Sequence, residues 1–286
     1  QPLRERGFQI GRDVFVTFSA ERIDPGNVGF AQEAVPRVVG GATPQCEEEG
    51  ARLLARYAAR VHRVSSLATA EMTKLLENTF RAVNIALANE FADICSALDV
   101  PVTEVIEAAS TKPYGFMAFY PGPGVGGHCI PCDPHYLLWQ LKALHVDAGV
   151  ITEAMTRIAA RPRRVVDRIR DVLGRAGKGT LGARVLVVGV TYKPDVADLR
   201  ESPALEIIDH LIDVGAEVQY VDTHAPHIRL DSGRERDSLP DPAAFHPDIV
   251  LVHTRHHDAD LGWLDGDAVV VDGTYRSADI AGRVLL

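Results

Sequence analysis

The last third of the chain alternates short apolar runs with helical segments, and this alternation constrains the fold more than any other feature. The apolar runs occupy residues 184–189, 217–222, 249–252 and 268–271. A helix is predicted from Ser202-Pro203, a pair that typically caps a helix, to Val214. Strands that alternate with helices predict a parallel, doubly wound sheet. We therefore expect an α/β fold whose binding residues lie at the carboxyl ends of the strands, near 189–193 and Asp222.

One long helix is predicted before this region, because no Pro or Gly occurs from residue 65 to 98. It exceeds the usual length of roughly 8–20 residues, which is typical of helices that span domains or form subunit interfaces. Another helix is predicted after Pro101, and a loop rich in Pro and Gly covers 112–134. Further helices are predicted from Asp133-Pro134 and over 150–173, the latter kinked at Pro162.

The first 62 residues give a weaker pattern. Strands are predicted at 13–18 and 37–40, a loop at 21–27 and a helix at 45–60. Too little sequence remains here for a complete sheet, so we expect only the tail of an α/β domain. The chain begins with Gln1 rather than Met, and we expect a fragment or a processed product.

Charge and composition exclude several classes of function. The net charge of −9 disfavours nonspecific nucleic-acid binding, which needs a basic surface. No stretch approaches the roughly 18 apolar residues of a membrane helix, and the charged start is not a signal peptide. Four cysteines are too few for a disulfide scaffold, which indicates a reducing compartment, and we expect a cytoplasmic protein.

The segment 121–134 carries the strongest chemical signal. Its glycines directly precede Cys129 and allow the backbone to approach a ligand closely. Gly122, Gly124 and Gly127 formally satisfy G-x-G-x-x-G. They follow no clear strand and contain a proline, so we reject a dinucleotide-binding turn. We expect the loop to present Cys129 and to wrap a substrate.

Three interpretations of Cys129 are open. It is a nucleophile activated by a positive charge or a helix N-terminus, one half of a C-x-x-C redox pair with Cys132, or a small buried residue. A redox pair should open a helix, whereas the flanking prolines predict a loop here. A zinc site would need more ligands than His128 and His135 supply. We expect Asp133 to cap the next helix, which would fix a carboxylate near the thiol.

Two other groups are candidates for chemistry. Lys74, Asn78 and Arg81 share one face of the long helix. They form a solvated stripe, or Lys74 and Asn78 stabilise a developing oxyanion. The segment 192–203 follows a strand and precedes a helix, so its lysine and arginine could contact phosphates. The alternative is a surface loop whose charges neutralise one another.

Together these motifs resemble the UDP-glucose/GDP-mannose dehydrogenase family. Within that family, Gly-Gly-His-Cys-Ile-Pro at 126–131 followed by Asp133-Pro134 resembles the branch that oxidises UDP-N-acetylhexosamines. Supporting matches lie at 21–27, 74–90 and 192–203. They occur in the family's order and cover nearly the whole chain.

The resemblance implies three domains. Residues 1–62 would be the incomplete C-terminal part of an NAD-binding Rossmann domain, and 63–176 a central helical dimerisation domain with the cysteine loop. Residues 177–286 would form a Rossmann-like UDP-sugar-binding domain. The family's glycine fingerprint for NAD should lie upstream of Gln1, so we expect a truncated dehydrogenase that binds NAD poorly or not at all.

The family's chemistry is a two-step oxidation that uses two NAD. The C6 alcohol becomes an aldehyde, then a thiohemiacetal on Cys129, then a thioester that water hydrolyses to the uronate. By resemblance, Lys74 and Asn78 stabilise the oxyanion. Asp133 positions or deprotonates the water, and Glu21 assists hydrolysis. The product would feed a bacterial envelope or capsule polysaccharide.

The resemblance also implies binding roles and partners. The residues placed against the UDP-sugar are Lys193, Arg81, Phe119, Gly126, Gly127 and Arg276. Arg200 would reach the NAD side of the cleft. We expect a homodimer through the central helix and no metal, nucleic-acid or membrane partner.

Three positions depart from the family pattern. Ala20 stands where Pro is usual, and Ile158 where Asn is common. Cys132 replaces an aliphatic residue, which would expose the site to disulfide trapping with Cys129. Two alternatives to an enzyme of this family remain: a nucleotide-sugar-binding and dimerisation fragment without turnover, and a C-x-x-C thiol oxidoreductase.

Overall fold

The computed structural model describes residues 2–23, 29–264 and 268–286, so most of the predicted loop at 21–27 lies outside the described residues. Two compact units share the chain. The first unit is Gln1–Asn78 and the second unit is Thr79–Leu286. The long helix α3, Leu67–Ala97, contains the boundary between them and agrees closely with the predicted 65–98.

The first unit contains a three-stranded sheet. Its helices are α1 (Pro2–Glu5) and α2 (Pro44–Leu54), and its strands are β1 (Thr17–Phe18), β2 (Arg37–Gly41) and β3 (Val61–Val64). Strand β2 is central, antiparallel to β1 and parallel to β3. Thr43 caps α2 by accepting a hydrogen bond from the Cys46 N–H at 3.2 Å.

Two predictions for this unit were too long. The strand predicted at 13–18 shrinks to β1, because only Thr17 and Phe18 pair with β2. The helix predicted at 45–60 ends at Leu54, and the chain turns back so that β3, which was not predicted, can pair with β2. Tertiary pairing thus overrode the local helical preference.

Helices pack around the second half of α3. They are α4 (Val102–Ser110), α5 (Cys129–Ala143) and α6 (Gly149–Arg175). Ala82 and Ala86 of α3 pack with Met155 and Ile158 of α6 in one buried cluster. Small and larger apolar side chains together thus bury the contact between the two helices. Helix α6 continues through Pro162, which is buried.

Helix α5 begins four residues earlier than predicted, at Cys129. Asp133 is therefore inside the helix and is not its N-cap; His128 occupies that position without a side-chain capping bond. Proline is tolerated in a first turn, where the N–H groups have no partner within the helix. Pro131 consequently does not delay the helix, and the Cys129/Cys132 pair opens a helix rather than lying in a loop.

The C-terminal sheet is parallel throughout, as predicted, with the order β10-β9-β8-β4-β5. These strands are β4 (Arg184–Val188), β5 (Glu217–Val221), β8 (Ile249–Val252), β9 (Val269–Asp272) and β10 (Val284–Leu285). Helix α7 (Pro203–Asp213) follows β4. An antiparallel hairpin of β6 (His227–Arg229) and β7 (Glu235–Asp237) follows β5.

Apolar side chains bury both faces of this sheet. Val185 and Val187 belong to one core cluster, and Leu186 and Val188 to another on the opposite face. Each such side chain contributes about 1.5–3 kcal/mol when fully buried. Within the described part of the chain, no helix has the length and apolar character needed to cross a membrane.

Ser202 is the N-cap residue of α7 and Pro203 its first residue, as predicted, but the Ser202 side chain makes no capping hydrogen bond. Its hydroxyl instead donates to the Val190 carbonyl at 2.6 Å. The bond ties the start of α7 to the residues that follow β4. The loop between them is therefore held at both ends.

Candidate active site

Two loops of the second unit dock against each other. We call residues 121–128 the cysteine loop and residues 189–202 the β4–α7 loop. The Gly127 N–H donates to the Arg200 carbonyl at 2.9 Å. A β carbon at Gly126 would lie 2.5 Å from the Tyr192 Cβ and 2.7 Å from the Glu201 carbonyl oxygen. Only glycine fits at such a distance, so the backbone approaches another loop closely here, and the expected approach to a ligand stays a prediction.

Cys129 is exposed at the first residue of α5. The structure therefore contradicts the interpretation of Cys129 as a small buried residue. The N-terminal end of a helix carries partial positive charge and favours negative charge close by. Residues 116–121, which precede Gly122, belong to no helix or strand, so the pattern lacks the preceding strand that a dinucleotide-binding turn requires. An exposed thiol at a helix start is suited to nucleophilic chemistry.

A cavity of about 490 Å³ lies where these loops meet the ends of β8 and β9. Gly122, Gly124, Tyr192 and Arg276 are among its lining residues. Its volume is within the range of small-molecule sites, roughly 300–1,000 Å³. The Arg276 guanidinium lies over the Tyr120 ring, 6.0 Å from the centroid. The cavity thus joins the cysteine loop to a cation at the end of the sheet.

The other predicted binding residues of the second unit lie on the β4–α7 loop, just before the cysteine loop, and on α3. Lys193 is half-buried in the β4–α7 loop, a few residues after the end of β4. Phe119 packs edge-to-face on Phe80 of α3, with 5.8 Å between ring centroids. Arg81 is exposed on α3. Arg200 is also exposed, and its guanidinium binds the carboxylate of Asp198, whose pKa this hydrogen bond lowers.

Three predicted catalytic residues belong to the first unit. Asn78 is buried and Lys74 is half-buried on α3, so the solvated-stripe interpretation fails for Asn78 and holds for Arg81. Glu21 is exposed and accepts hydrogen bonds from Arg37 and from the Ile23 N–H, at 2.6 and 2.7 Å. Burial raises the pKa of Glu21, but the bonds from Arg37 and the backbone outweigh it and lower the pKa. A shared site with Cys129 stays a prediction.

A group of histidines at the carboxyl ends of the strands was missed by the sequence analysis. The buried His256 lies 3.1 Å from Asp222 through Nε2, and its Nδ1 accepts the Asp195 N–H at 2.9 Å. Burial raises the pKa of Asp222, but hydrogen bonds from His256 and the Val190 N–H bring it to about 2. These contacts fix the ends of β4, β5 and β8. No sequence spacing points to them, because the residues come from separate loops.

The same histidines supply an arrangement that could hold a metal ion. Ligand atoms of Asp195, His224 and His256 lie within 4.8 Å of one another. Both ring nitrogens of His256 already have partners, as described above. A metal would therefore have to displace one of those contacts, and the group serves more readily as a structural network.

Two regions of the chain match models of one known protein family. Residues 68–157 match the central domain, and residues 186–275 the UDP-binding domain, of the UDP-glucose/GDP-mannose dehydrogenase family. The first match contains the cysteine loop and the start of α5. The second contains the end of β4 and the β4–α7 loop.

Individual relatives carry similar names. The chain is 36% identical to a UDP-N-acetyl-D-mannosamine dehydrogenase of Methanocaldococcus jannaschii over 247 residues, which are 86% of this chain and 54% of that protein. It is 34% identical to one of Campylobacter jejuni over 250 residues, with coverage of 86% and 60%. The chain thus spans little more than half the length of these relatives.

A solved structure gives the same result for the fold. The UDP-D-ManNAc dehydrogenase of Pyrococcus horikoshii superposes with a TM-score of 0.86 at 29% identity. The match covers 99% of this chain and 66% of that one.

Proposed function

Because the chain belongs to the UDP-glucose/GDP-mannose dehydrogenase family, we propose that it is the substrate-oxidising part of an NAD-dependent nucleotide-sugar 6-dehydrogenase. The proposed reaction oxidises the C6 alcohol of a UDP-N-acetylhexosamine to the uronate. The names of the relatives support this substrate class. The observation that carries the proposal is the exposed Cys129 at the start of α5, directly after a loop that is docked against the loop that bears Lys193.

In the proposed mechanism Cys129 is the nucleophile. Its sulfur bonds to the C6 carbon of the aldehyde, and the carbonyl oxygen takes up a proton to give a thiohemiacetal. Loss of a hydride and a proton gives the thioester, and water releases the uronate and the free thiol. Lys74 and Asn78 would hold the oxyanion, because a cation and an amide donor stabilise developing negative charge. Asp133 would position or deprotonate the water, and Glu21 would assist hydrolysis.

The proposed binding mode uses the cavity of about 490 Å³. Lys193 and Arg276 would contact the UDP-sugar from the strand ends, where open α/β sheets bind ligands. Arg81 and Phe119 would contact it from the α3 side, and Gly126 and Gly127 would allow the backbone close to it.

NAD, when bound, would accept the hydride from C6 in each oxidation step. The described residues fit an NAD site in part. Strand β2, which ends at Gly41, and helix α2 form a strand–turn–helix unit, and a β carbon at Gly41 would lie 2.2 Å from the Glu47 backbone nitrogen. Within residues 2–23, 29–264 and 268–286, no G-x-G-x-x-G turn directly follows a strand. Arg200 is the residue proposed to reach the cofactor.

We also propose a homodimer and a cytoplasmic location. Helix α3 exposes apolar side chains along its second half, which supports a second copy as the partner. Four free cysteines support a reducing compartment. The uronate product would supply an envelope or capsule polysaccharide.

A second candidate is a nucleotide-sugar-binding and dimerisation fragment that does not turn over. The observation that favours it is the match of residues 186–275 to a UDP-binding domain. Both candidates predict sugar-nucleotide binding. They differ in NADH formation, which only the enzyme supports.

Calorimetric titration of the chain with UDP-GlcNAc and UDP-ManNAc, and separately with NAD, tests the shared prediction. We expect UDP-sugar binding that Lys193→Met weakens by roughly 10–100-fold, the worth of one charged hydrogen bond. Lys178→Met is the matched control, because Lys178 pairs with Asp248 at the opposite ends of the strands. Equal affinities for the two variants would contradict the assigned role of Lys193, and no binding of either sugar would contradict the substrate class.

A further inference from the structure

Two thiols lie on one turn at the start of α5. Cys129 is exposed, and Cys132 is half-buried three residues later. Residues three apart on a helix have β carbons about 5–6 Å apart. A disulfide needs about 3.5–4.5 Å between β carbons and tolerates Cα separations of about 4.4–6.8 Å. A small adjustment of the first helical turn therefore suffices to join the two sulfurs.

The surroundings give the two thiols different roles. Burial raises the pKa of Cys132, and the nearby carboxylates of Glu201 and Asp133 raise it further. Cys132 consequently remains a protonated thiol, and Cys129, which is exposed at the helix start, reacts first with an oxidant. Cys132 also lines a cavity of about 510 Å³, so its sulfur is not sealed inside the core.

The other two cysteines offer no competing partner. Cys46 is buried in the first unit, at the start of α2. Cys95 is buried in the second half of α3 and belongs to the main core cluster. One exposed and one half-buried cysteine on the same turn, with the other two cysteines buried, is the distribution in which oxidation is selective for the pair.

We propose that Cys129 and Cys132 form a reversible disulfide that switches off and protects the nucleophile, an inference that rests on the proposed function. The oxidant is a peroxide. The Cys129 sulfur attacks one peroxide oxygen, hydroxide leaves, and Cys129 becomes a sulfenic acid. The Cys132 sulfur then displaces that oxygen as water and forms the S–S bond. Two thiols lose two electrons and two protons, and hydrogen peroxide becomes two molecules of water.

The disulfide protects because it ends the oxidation at a recoverable stage. A sulfenic acid without a neighbouring thiol proceeds to sulfinic acid, which thiols do not reverse. In the disulfide, an incoming thiolate can reach the exposed Cys129 sulfur and restore both groups. The disulfide thus causes a temporary loss of the nucleophile and prevents a permanent one.

The test treats the whole chain with hydrogen peroxide and counts thiols after denaturation, before and after dithiothreitol. We expect the native chain to lose two of its four thiols and to recover both. The peptide that contains both residues should become lighter by two hydrogens. Cys132→Ser should instead lose Cys129 irreversibly as the sulfinic acid. Cys95→Ala is the control, and it should recover as the native chain does.

Several outcomes would overturn the proposal. They are a disulfide between two chains on a non-reducing gel, full retention of thiols, or irreversible loss of Cys129 at equal rates in the native chain and Cys132→Ser. None of these readouts uses a sugar or NAD. The proposed function is tested separately in the reduced chain, where a UDP-sugar should protect Cys129 from iodoacetamide. If the UDP-sugar does not protect Cys129 but the disulfide forms and is reduced as expected, the result contradicts the proposed dehydrogenase function and not the disulfide.

Discussion

At the scale of single residues, Gly126 determines how the cysteine loop meets the β4–α7 loop. An added methyl at Gly126 meets the Tyr192 side chain and the Glu201 backbone at distances below 3 Å. We expect Gly126→Ala to displace one loop, to destabilise the second unit by about 1–3 kcal/mol and to weaken UDP-sugar binding. Urea unfolding and calorimetry measure the two effects.

The control for this substitution is Gly174→Ala on α6, where an added methyl meets nothing within 4 Å. Because alanine is a better helix former than glycine, this variant should be as stable as the native chain or more so. Equal behaviour of the two variants would show that the docking of the loops does not depend on Gly126.

The buried His253 makes the stability of the chain depend on pH between about 4 and 6.5. Burial lowers its pKa from 6.5 to about 4. Between these values the unfolded chain binds a proton that the folded chain excludes, so stability falls as the pH falls from 6.5 to 4. One pKa unit is worth about 1.4 kcal/mol, and the loss reaches roughly 3 kcal/mol by pH 4.

Urea unfolding across this pH range measures the effect, followed by fluorescence of Trp139 and Trp263, which both lie in the second unit. His253→Ala should flatten the decline, whereas His227→Ala, at an exposed histidine, should leave it unchanged. A decline of the same steepness in His253→Ala would assign the pH dependence to other groups.

Among the site residues, sequence reasoning located Cys129 and the strand-end Asp222, because motif and strand pattern mark both. It could not locate His253 or His256. Their roles depend on burial and on partners from loops far apart in the chain, as with the 3.1 Å contact from His256 to Asp222. The spacing of residues in the sequence does not predict such contacts.

At the scale of elements, the second half of α3 presents an apolar stripe. Leu87, Phe91 and Ile94 are exposed on one face of the helix, and Leu98 is exposed directly after its end. If a second copy covers this stripe, Phe91→Glu should weaken self-association on the order of 100-fold, because a buried unpaired carboxylate is costly. Glu90→Gln is the control at the exposed neighbouring position. Sedimentation equilibrium decides, and a native chain that remains monomeric at high concentration would refute the dimer.

The helices also show where local rules succeed and fail. Helix α3 was predicted within two residues at each end, because the absence of Pro and Gly over a long stretch permits little else. Helix α5 was predicted to start too late, because Pro131 and Pro134 were taken as barriers. A proline in the first turn removes no bond that the helix would have made, so Pro131 is compatible with the earlier start.

At the scale of the whole molecule, the parallel C-terminal sheet followed directly from alternating strands and helices, and the structure confirms it. The first unit was harder to predict, since β1 has only two residues and β3 has no buried residue to mark it. A short strand forms because a neighbouring strand pairs with it. Local composition does not predict pairing between segments that are distant in the chain.

The division into units predicts how a ligand changes stability. UDP-sugar at 100 times its Kd should stabilise the unit that binds it by about 2.7 kcal/mol. For a unit of this size the tryptophan-detected melting temperature should rise by roughly 5–10 °C. With a Kd that is 10–100-fold higher, Lys193→Met should lose roughly half to five-sixths of this rise at the same ligand concentration. A ligand-independent melting temperature in the native chain would exclude specific binding to the second unit.

The docking of the cysteine loop on the β4–α7 loop has a consequence for recombining this chain with its relatives. The two loops belong to different matched regions, 68–157 and 186–275, yet Gly126 and Tyr192 fit together without spare room. A hybrid that takes one region from a distant relative and keeps the other would mismatch surfaces on both sides of that contact. Exchanges that carry both loops as one cassette should yield folded, binding-competent hybrids far more often than exchanges divided between 157 and 186.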